Sequence, residues 1–288
     1  MVMRTPGIQR AKIAKRINKL VASERPLREI AGTWSKVAKY AIDEANSLSI
    51  ERVEIRLPRL PKKLDGFRIV HLSDTHHSPL TGLDHIARAV IITRDLKPDL
   101  VALTGDYVSH EAKYVEPVAK VLGELRAKHG VYACLGNHDH WTDAEGVTRH
   151  FENNGIRVLI NEGFRLNTGD ASFWLAGVDD HMVGRTDLPA ALKGSFPDEF
   201  KLLLAHNPII FRKAVRAGVD LTLSGHTHGG QVRVRDKNER LIRRRRRAGL
   251  HRRYDSQIYI TRGIGTVVLP VRFQCPPEIS VLELRSAQ

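Results

Sequence analysis

From residue 67 onward, short apolar runs rich in β-branched and aromatic residues alternate with longer segments whose apolar residues recur every three or four positions. The short runs predict strands and the longer segments predict amphipathic helices. The predicted strands are FRIVHLS (67–73), DLVALT (99–104), GVYACLG (130–136), FWLAGV (173–178), FKLLLAH (200–206), VDLTLSG (219–225), QIYITR (257–262) and ISVLEL (279–284). Helices are predicted near residues 84–96, 112–128, 142–154 and 208–217. This alternation predicts an α/β fold.

Residues 1–48 have a different pattern and are predicted to form a helical extension ahead of a domain that spans residues 49–288. Apolar residues recur at helical spacing from Leu27 to Ile42, and a shorter helix is predicted around residues 13–21. The boundary region, residues 45–65, contains LPRLPKKLDG, whose prolines and glycine precede the first strong strand. A basic amphipathic helix either lies in a membrane interface or docks on its own domain, and the pattern leaves both open.

The composition argues against a membrane-spanning, a secreted and a disulfide-rich protein. The chain of 288 residues contains no apolar run of about 18 residues, and its N-terminus lacks the continuous apolar core of a secretory signal, so we expect a cytoplasmic protein. Its two cysteines, Cys134 and Cys275, do not form a C-x-x-C motif. A disulfide framework and a thiolate zinc site therefore have no support.

The net charge of +14 is concentrated in two segments. Residues 1–40 contain ten Lys and Arg against two Glu, and residues 233–253 contain eleven, including the run Arg243 to Arg247, against one Asp and one Glu. These segments carry +8 and +9, so the rest of the chain carries about −3. Two basic segments on a slightly acidic body indicate an anionic surface or polymer as a partner.

Polar residues with metal-binding side chains follow five of the predicted strands. In open α/β sheets, sites form beyond the carboxyl ends of strands, so these five loops are expected to share one crevice. The residues are Asp74 and His76, Asp106, Asn137 and His138, His206, and finally His226 and His228.

The residue types indicate what the crevice holds. Two carboxylates, one amide oxygen and four imidazoles form a mixed N/O set that suits divalent transition metals. Seven ligands exceed the needs of one tetrahedral ion and suit two ions about 3.5–4 Å apart, bridged by a carboxylate, as in phosphate-ester hydrolysis. Such a pair lowers the pKa of bound water towards about 7, and a nearby unligated histidine is the natural acid for the departing oxygen.

The ordered blocks SDTH (73–76), GDYV (105–108), GNHD (136–139), AHNP (205–208) and GHTH (225–228) resemble the five signature blocks of the calcineurin-like metallophosphoesterases. The resemblance implies two stacked mixed β-sheets flanked by helices over residues 67–284. It also implies that the first metal takes Asp74, His76, Asp106 and His228. The second would take Asp106, Asn137, His206 and His226, with Asp106 as the bridge and His138 as the acid or oxyanion-stabilising group.

Longer stretches, including LPRLPKKLDGFRIVHLSDTHH, LAGVDD and SGHTHGGQVR, resemble the bacterial YkuE/YaeI-type phosphodiesterases. That branch includes membrane-associated enzymes, and related enzymes cleave the pyrophosphate of a lipid-linked nucleotide. Phosphoprotein phosphatases are a poorer match, because their second block continues into Asp-Arg-Gly whereas this chain has GDYVSH. The aspartate that orients their catalytic histidine is missing, so the sequence leaves open which residue orients His138.

We therefore expect a binuclear metal-dependent hydrolase of phosphodiester or pyrophosphate bonds in a lipid-linked or nucleotide-containing substrate, peripheral on the inner face of the membrane. Manganese is the first choice of metal, with iron, zinc, nickel, cobalt or magnesium as alternatives. Two other functions stay open. A metal-dependent nuclease fits the basic segments but has few aromatic residues for base stacking, at 6% of the chain. A non-catalytic membrane-binding module would bind vesicles through residues 1–42 without turnover. The sequence does not indicate an oligomeric state.

Overall fold

The computed structural model describes residues 27–183, 185–233 and 248–287. Its strands are β1 (Ser49–Leu57), β2 (Arg68–Leu72), β3 (Leu100–Thr104), β4 (Val131–Cys134), β5 (Arg157–Val158), β6 (Glu162–Asn167), β7 (Ser172–Gly177), β8 (Lys201–Leu204), β9 (Leu221–Ser224), β10 (Gly249–Arg253), β11 (Ser256–Ile260) and β12 (Glu278–Ser286). Its α-helices are α1 (Leu27–Ala45), α2 (Leu83–Asp95), α3 (Val115–Leu122), α4 (Asn137–Thr142), α5 (Ala144–Asn153), α6 (Leu188–Ala191) and α7 (Phe211–Arg216).

Within these residues, the strands form two six-stranded mixed sheets. The first has the order β1-β12-β2-β3-β4-β5 and is parallel except where β12 meets β2. The second has the order β10-β11-β9-β8-β7-β6, with antiparallel pairs at both edges and parallel pairs between them. The two sheets confirm the fold class expected from the sequence.

The central strands are buried on both faces, which is why their sequences are nearly continuous apolar runs. One cluster lies between the sheets and joins Ile69 and Leu100 of the first sheet to Leu175 and Leu202 of the second. A second cluster packs the outer face of the first sheet against α2, α3 and α5. A third packs the outer face of the second sheet against α6 and α7. The layers are therefore helix, sheet, sheet and helix.

All eight predicted strands are present, as β2, β3, β4, β7, β8, β9, β11 and β12. The sequence analysis missed β1, β5, β6 and β10, which lie at or beside the sheet edges. β1 alternates charged and apolar residues because much of it is solvent-exposed. The helix predicted over 112–128 was too long: α3 ends at Leu122, before Gly123, which packs closely against Asn154.

The helical pattern from Leu27 to Ile42 corresponds to α1, whose second half contacts the loop that precedes β12. The carbonyl of Ala41 accepts a hydrogen bond from the backbone N–H of Arg272 at 2.9 Å, and the Tyr40 ring lies 5.8 Å from the Phe273 ring. The Glu44 carboxylate accepts the N–H of Cys275. No helix among the described residues is long and apolar enough to cross a bilayer. The division into residues 1–48 and 49–288 stays a prediction. Two further features of the sequence lie outside the described residues, namely the helix predicted around residues 13–21 and the run Arg243 to Arg247.

Candidate metal centre

The structure brings together the residues that were predicted from the strand ends. The first sheet supplies those that follow β2, β3 and β4, and the second supplies those that follow β8 and β9. Among them, Asp74, His76, Asp106, Asn137, His206 and His228 are buried. Their donor atoms form two groups, and Oδ2 of Asp106 lies within 3.5 Å of an imidazole in each.

The first group contains Asp74, His76 and His228. The Nε2 atoms of the two imidazoles lie 3.1 Å apart, and Nε2 of His228 lies 3.2 Å from Oδ1 of Asp74. The ligand atoms of all three residues lie within 4.8 Å of one another. Three donors at this separation can share one ion.

The second group contains Asp106, His206 and His226. Nε2 of His206 lies 3.2 Å from Oδ2 of Asp106 and 3.1 Å from Nδ1 of His226. The same Oδ2 lies 3.5 Å from Nε2 of His76, a member of the first group. Asp106 therefore stands between the two groups. Asn137 is buried as well, and among the described residues its Oδ1 has no hydrogen-bond partner.

The outer nitrogens of two imidazoles are already committed to the protein. Nδ1–H of His206 donates to the carbonyl of Thr104 at 2.7 Å, and Nδ1 of His76 forms a hydrogen bond with the hydroxyl of Ser109 at 3.2 Å. The carbonyl acceptor keeps a proton on Nδ1 of His206, so Nε2 is the nitrogen that faces the carboxylates and can bind a metal ion. Lone pairs that converge on carboxylate oxygens repel one another, and a cation removes the repulsion. The donor set fits divalent metal ions.

The backbone of the centre is strained in an unusual way. Five of the seven predicted ligands have positive φ angles, although none is glycine: Asp74 (53°), His76 (43°), Asp106 (58°), His226 (68°) and His228 (49°). Each such conformation costs on the order of 1–3 kcal/mol and persists only where the surrounding structure enforces it. Strain of this kind concentrates at functional sites.

Asp139 enforces part of this geometry without being a predicted ligand. Its carboxylate accepts the backbone N–H groups of Asp106, Tyr107 and Gly136, each at 2.8 Å. These donors lie in the loops that follow β3 and β4. The side chain thus ties together the two loops that carry Asp106, Asn137 and His138. Asp139 belongs to the GNHD block, but the spacing of residues in that block did not predict its supporting role.

His138 is oriented by backbone groups. Its N–H donates to Oδ1 of Asp106 at 2.9 Å, and its Nδ1–H donates to the carbonyl of Ser109 at 3.0 Å. Trp141 is 58% exposed, and its ring lies 4.9 Å from the His138 ring. Ser109 thus answers the question left by the sequence, because its carbonyl orients His138 while its hydroxyl contacts His76. Sequence reasoning missed it, since any residue carries a carbonyl.

The electrostatics of the centre favour positive charge. Burial raises the pKa of Asp74 to about 6 and lowers the pKa of His76 to about 3. Burial also opposes a charge on His206, but the carboxylates of Asp106 and Asp74 outweigh it and raise the pKa of His206 to about 10. Burial alone would raise the pKa of Asp106, yet the neighbouring imidazoles lower it. Carboxylate charge at this depth attracts protons or metal ions.

Arg272 is a fully buried arginine that lies next to His228 of the first group. Its guanidinium donates to the carbonyls of Gly265 at 2.6 Å, Arg262 at 2.8 Å and Cys275 at 3.1 Å, and lies 3.5 Å from Nδ1 of His228. These contacts hold the loop before β12 against the GHTH segment. Arginines are mostly exposed, so the sequence gave no signal for this role.

Several known proteins are similar to this chain in sequence. A model of the calcineurin-like phosphoesterase family matches residues 67–230. The uncharacterized metallophosphoesterase YkuE of Bacillus subtilis (strain 168) is 32% identical over 263 residues, which cover 89% of this chain and 91% of that protein. Phosphodiesterase YaeI of Escherichia coli (strain K12) is 34% identical over 241 residues, covering 81% and 88%. A transmembrane protein with a metallophosphoesterase domain from Bos taurus is 32% identical over 263 residues, covering 85% of this chain and 59% of that protein.

Proposed function

The chain belongs to the calcineurin-like phosphoesterase family and is a phosphoesterase hydrolase related to YkuE and YaeI, and from this premise we propose that it is a binuclear metal-dependent phosphodiesterase or pyrophosphatase. One observation carries the proposal. Oδ2 of Asp106 lies 3.5 Å from His76 in one donor group and 3.2 Å from His206 in the other. A carboxylate between two such groups is suited to bridge two ions.

Each ion has a proposed ligand set. The first would be held by Asp74, His76, Asp106 and His228. The second would be held by Asp106, Asn137, His206 and His226. The unsatisfied Oδ1 of Asn137 supports its inclusion, because a buried amide oxygen rarely lacks a partner. Nitrogen and oxygen donors without thiolate suit manganese first, and also iron, zinc, nickel, cobalt or magnesium.

When bound, the two ions would supply Lewis-acid stabilisation of phosphoryl charge and a nucleophilic water at neutral pH. His138 would hand a proton to the leaving oxygen. Its Nδ1–H is held by the carbonyl of Ser109, so Nε2 is the nitrogen available for proton transfer. The Asp106 carboxylate fixes the backbone of His138 through the 2.9 Å hydrogen bond to its N–H. The same residue therefore links the metal ligands to the acid.

The proposed substrate is a phosphodiester or a pyrophosphate, in a lipid-linked or nucleotide-containing molecule at a membrane surface. The relative YaeI is named as a phosphodiesterase, and the bovine relative as a transmembrane protein. The two basic segments of this chain add attraction to anionic lipids. We place the protein peripherally on the cytoplasmic face of the membrane.

The test compares hydrolysis of bis(p-nitrophenyl) phosphate with that of p-nitrophenyl phosphate by metal-stripped protein refilled with manganese. We expect metal-dependent diester turnover that exceeds monoester turnover. Asp106→Asn should abolish it because both donor groups lose a shared oxygen, and His138→Ala should lower kcat. His150→Ala, on the far helix α5, is the matched control. Turnover that survives both metal removal and Asp106→Asn would refute the proposal. Salt-sensitive cleavage of single-stranded nucleic acid in preference to the diester would reassign the substrate.

A further inference from the structure

An exposed apolar loop stands beside the metal centre, between Thr266 and Arg272. Val268 is 83% exposed and Leu269 is 59% exposed. These two residues are called the apolar tip. Exposed apolar residues of this size are common singly, whereas a contiguous apolar patch is typical of a contact surface.

The tip is held in a strained conformation. Val268 has a φ of 67°, and the N–H of Leu269 donates to the carbonyl of Val267 at 2.8 Å, so the chain turns sharply at a β-branched residue. A β-branched side chain avoids this region of φ unless its surroundings impose it. The turn is thus maintained despite its cost, and its effect is to project two apolar side chains into solvent.

Gln231 imposes the turn. Its side-chain amide donates to the carbonyls of Val267 at 3.1 Å and Leu269 at 3.2 Å, and its Oε1 accepts the N–H of Val267 at 3.0 Å. Gln231 follows His228 by three residues, and its backbone N–H donates to the His228 carbonyl at 2.9 Å. The tip is therefore fixed in position relative to the metal ligands.

Further apolar residues extend the surface next to the tip. Ile42 of α1 is 44% exposed and Leu80 is 48% exposed, and both line one small cavity with Pro270. They are called the apolar rim. Tip and rim together form a surface that is apolar at its centre. Thr266 of the loop donates its N–H to Oγ1 of Thr81 at 3.4 Å, and the preceding Gly265 donates its N–H to the carbonyl of Asp74, a member of the first donor group, at 2.7 Å.

Each basic segment of the sequence has one end near this surface. Residues 1–40, with a net charge of +8, lead into the part of α1 whose Tyr40 contacts Phe273. Residues 233–253, with a net charge of +9, begin at Arg233, whose N–H donates to the carbonyl of Phe273 at 2.9 Å. Both attachment points thus contact Phe273, four residues after Leu269 of the apolar tip. Apolar insertion combined with flanking positive charge suits an anionic lipid surface.

We infer that the apolar tip, Val268 and Leu269, inserts into the boundary between headgroups and acyl chains of an anionic membrane. This insertion orients the metal centre towards the lipid surface. This inference rests on the proposed function, in that it specifies how the phosphoesterase site would meet a lipid-linked substrate. The binding itself needs no metal and no turnover.

The experiment measures co-sedimentation of the full chain with vesicles of phosphatidylcholine alone and of an equimolar mixture with phosphatidylglycerol. We expect binding to the anionic vesicles only. Replacing both Val268→Ser and Leu269→Ser should lower the partition coefficient about tenfold, because the inserted apolar area is lost. Ile91→Ser is the matched control, since Ile91 is 55% exposed on α2, and it should bind as the wild type does. Equal binding by the double variant and the wild type, or no binding to anionic vesicles, would overturn the inference.

A second measurement does not depend on the stability of the double variant. Cys134 and Cys275 are both buried, so a single Val268→Cys substitution can be labelled selectively with an environment-sensitive dye. We expect a blue shift of the dye on anionic vesicles and none for the same dye at Ile91→Cys. The absence of a shift at position 268, or binding of anionic single-stranded RNA in preference to vesicles, would also overturn the inference. Turnover of a soluble diester by the wild type tests the proposed function separately, because that substrate requires no membrane.

Discussion

Replacing Asp139 with alanine removes the acceptor of three buried hydrogen bonds at once. The carboxylate holds the N–H groups of Asp106, Tyr107 and Gly136 at 2.8 Å each, and it is itself fully buried. Alanine leaves all three donors without their partner inside the protein. The loops that follow β3 and β4 then lose the link that this carboxylate provides, and Asp106 loses the support that keeps its φ at 58°.

The magnitude follows from the number and kind of these bonds. A hydrogen bond to a charged acceptor contributes about 1.5–3 kcal/mol. Burial, followed by the charge of Asp106, raises the pKa of Asp139 to about 7, so the lower end of that range applies near neutral pH. Three bonds at this value predict a loss of about 4.5 kcal/mol in the free energy of unfolding, which is large for a single substitution. For a domain of this size, Tm should fall by roughly 9–18 °C.

The assay is thermal unfolding in the presence of a chelator, so that metal binding does not contribute. Asp143→Ala is the matched control, because Asp143 accepts the N–H of Gly146 alone at the start of α5 and its loss should cost about 1 kcal/mol. Asp139→Asn, which keeps one acceptor oxygen, should fall between the two. If Asp139→Ala lowers Tm no more than Asp143→Ala does, the role assigned to Asp139 is wrong.

Three further predictions concern the pH dependence of stability, the space next to Gly225 and the affinity for manganese. His71 is fully buried beside Thr104, and burial lowers its pKa to about 3, whereas an unfolded histidine titrates near 6.5. Between these values the unfolded chain binds a proton that the folded chain does not, so the free energy of unfolding falls as pH falls, by about 1.4 kcal/mol per unit. His71→Gln should reduce the measured slope by this amount in denaturant titrations between pH 6.5 and 5, and an unchanged slope would contradict the assignment. Gly225→Ala should lower the metal content of the first site, because a Cβ there would lie 2.0 Å from Oγ of Ser73 and 2.2 Å from Oδ2 of Asp74. The measurement is the metal content of the purified protein. Gly82→Ala is the control, since a Cβ at position 82 meets no atom within 4 Å. Ser109→Ala should weaken manganese binding about tenfold in calorimetric titration of stripped protein, because His76 loses the partner of its Nδ1, and Ser109→Thr should restore it. Equal affinities for the serine and alanine proteins would remove Ser109 from the support of the centre.

The parts of the fold that the sequence predicted are those whose periodicity is set by burial. β2, β3 and β4 are enclosed on both faces, so their apolar runs are continuous and their ends are marked by polar residues. The same property located the candidate ligands, because a metal-binding side chain directly after a buried strand stands out. β5, with two residues, and β10, with mostly exposed ones, carry no such pattern.

The supporting contacts of the site could not be predicted, because they join residues far apart in the chain through backbone atoms. The carbonyl of Ser109 orients His138 across 29 positions, and Arg272 reaches carbonyls around the GHTH segment. Gln231 acts in the same way on the apolar tip across more than 30 positions. Backbone acceptors are present at every residue, so neither composition nor spacing reveals which of them is used.

The central claim is that Asp106 bridges two metal ions, and anomalous diffraction from manganese-loaded crystals tests it most directly. The account predicts two anomalous peaks about 3.5–4 Å apart, one beside Asp74, His76 and His228 and the other beside Asn137, His206 and His226, with the Asp106 carboxylate between them. A single peak at full manganese loading, or two peaks that do not share Asp106, would contradict it.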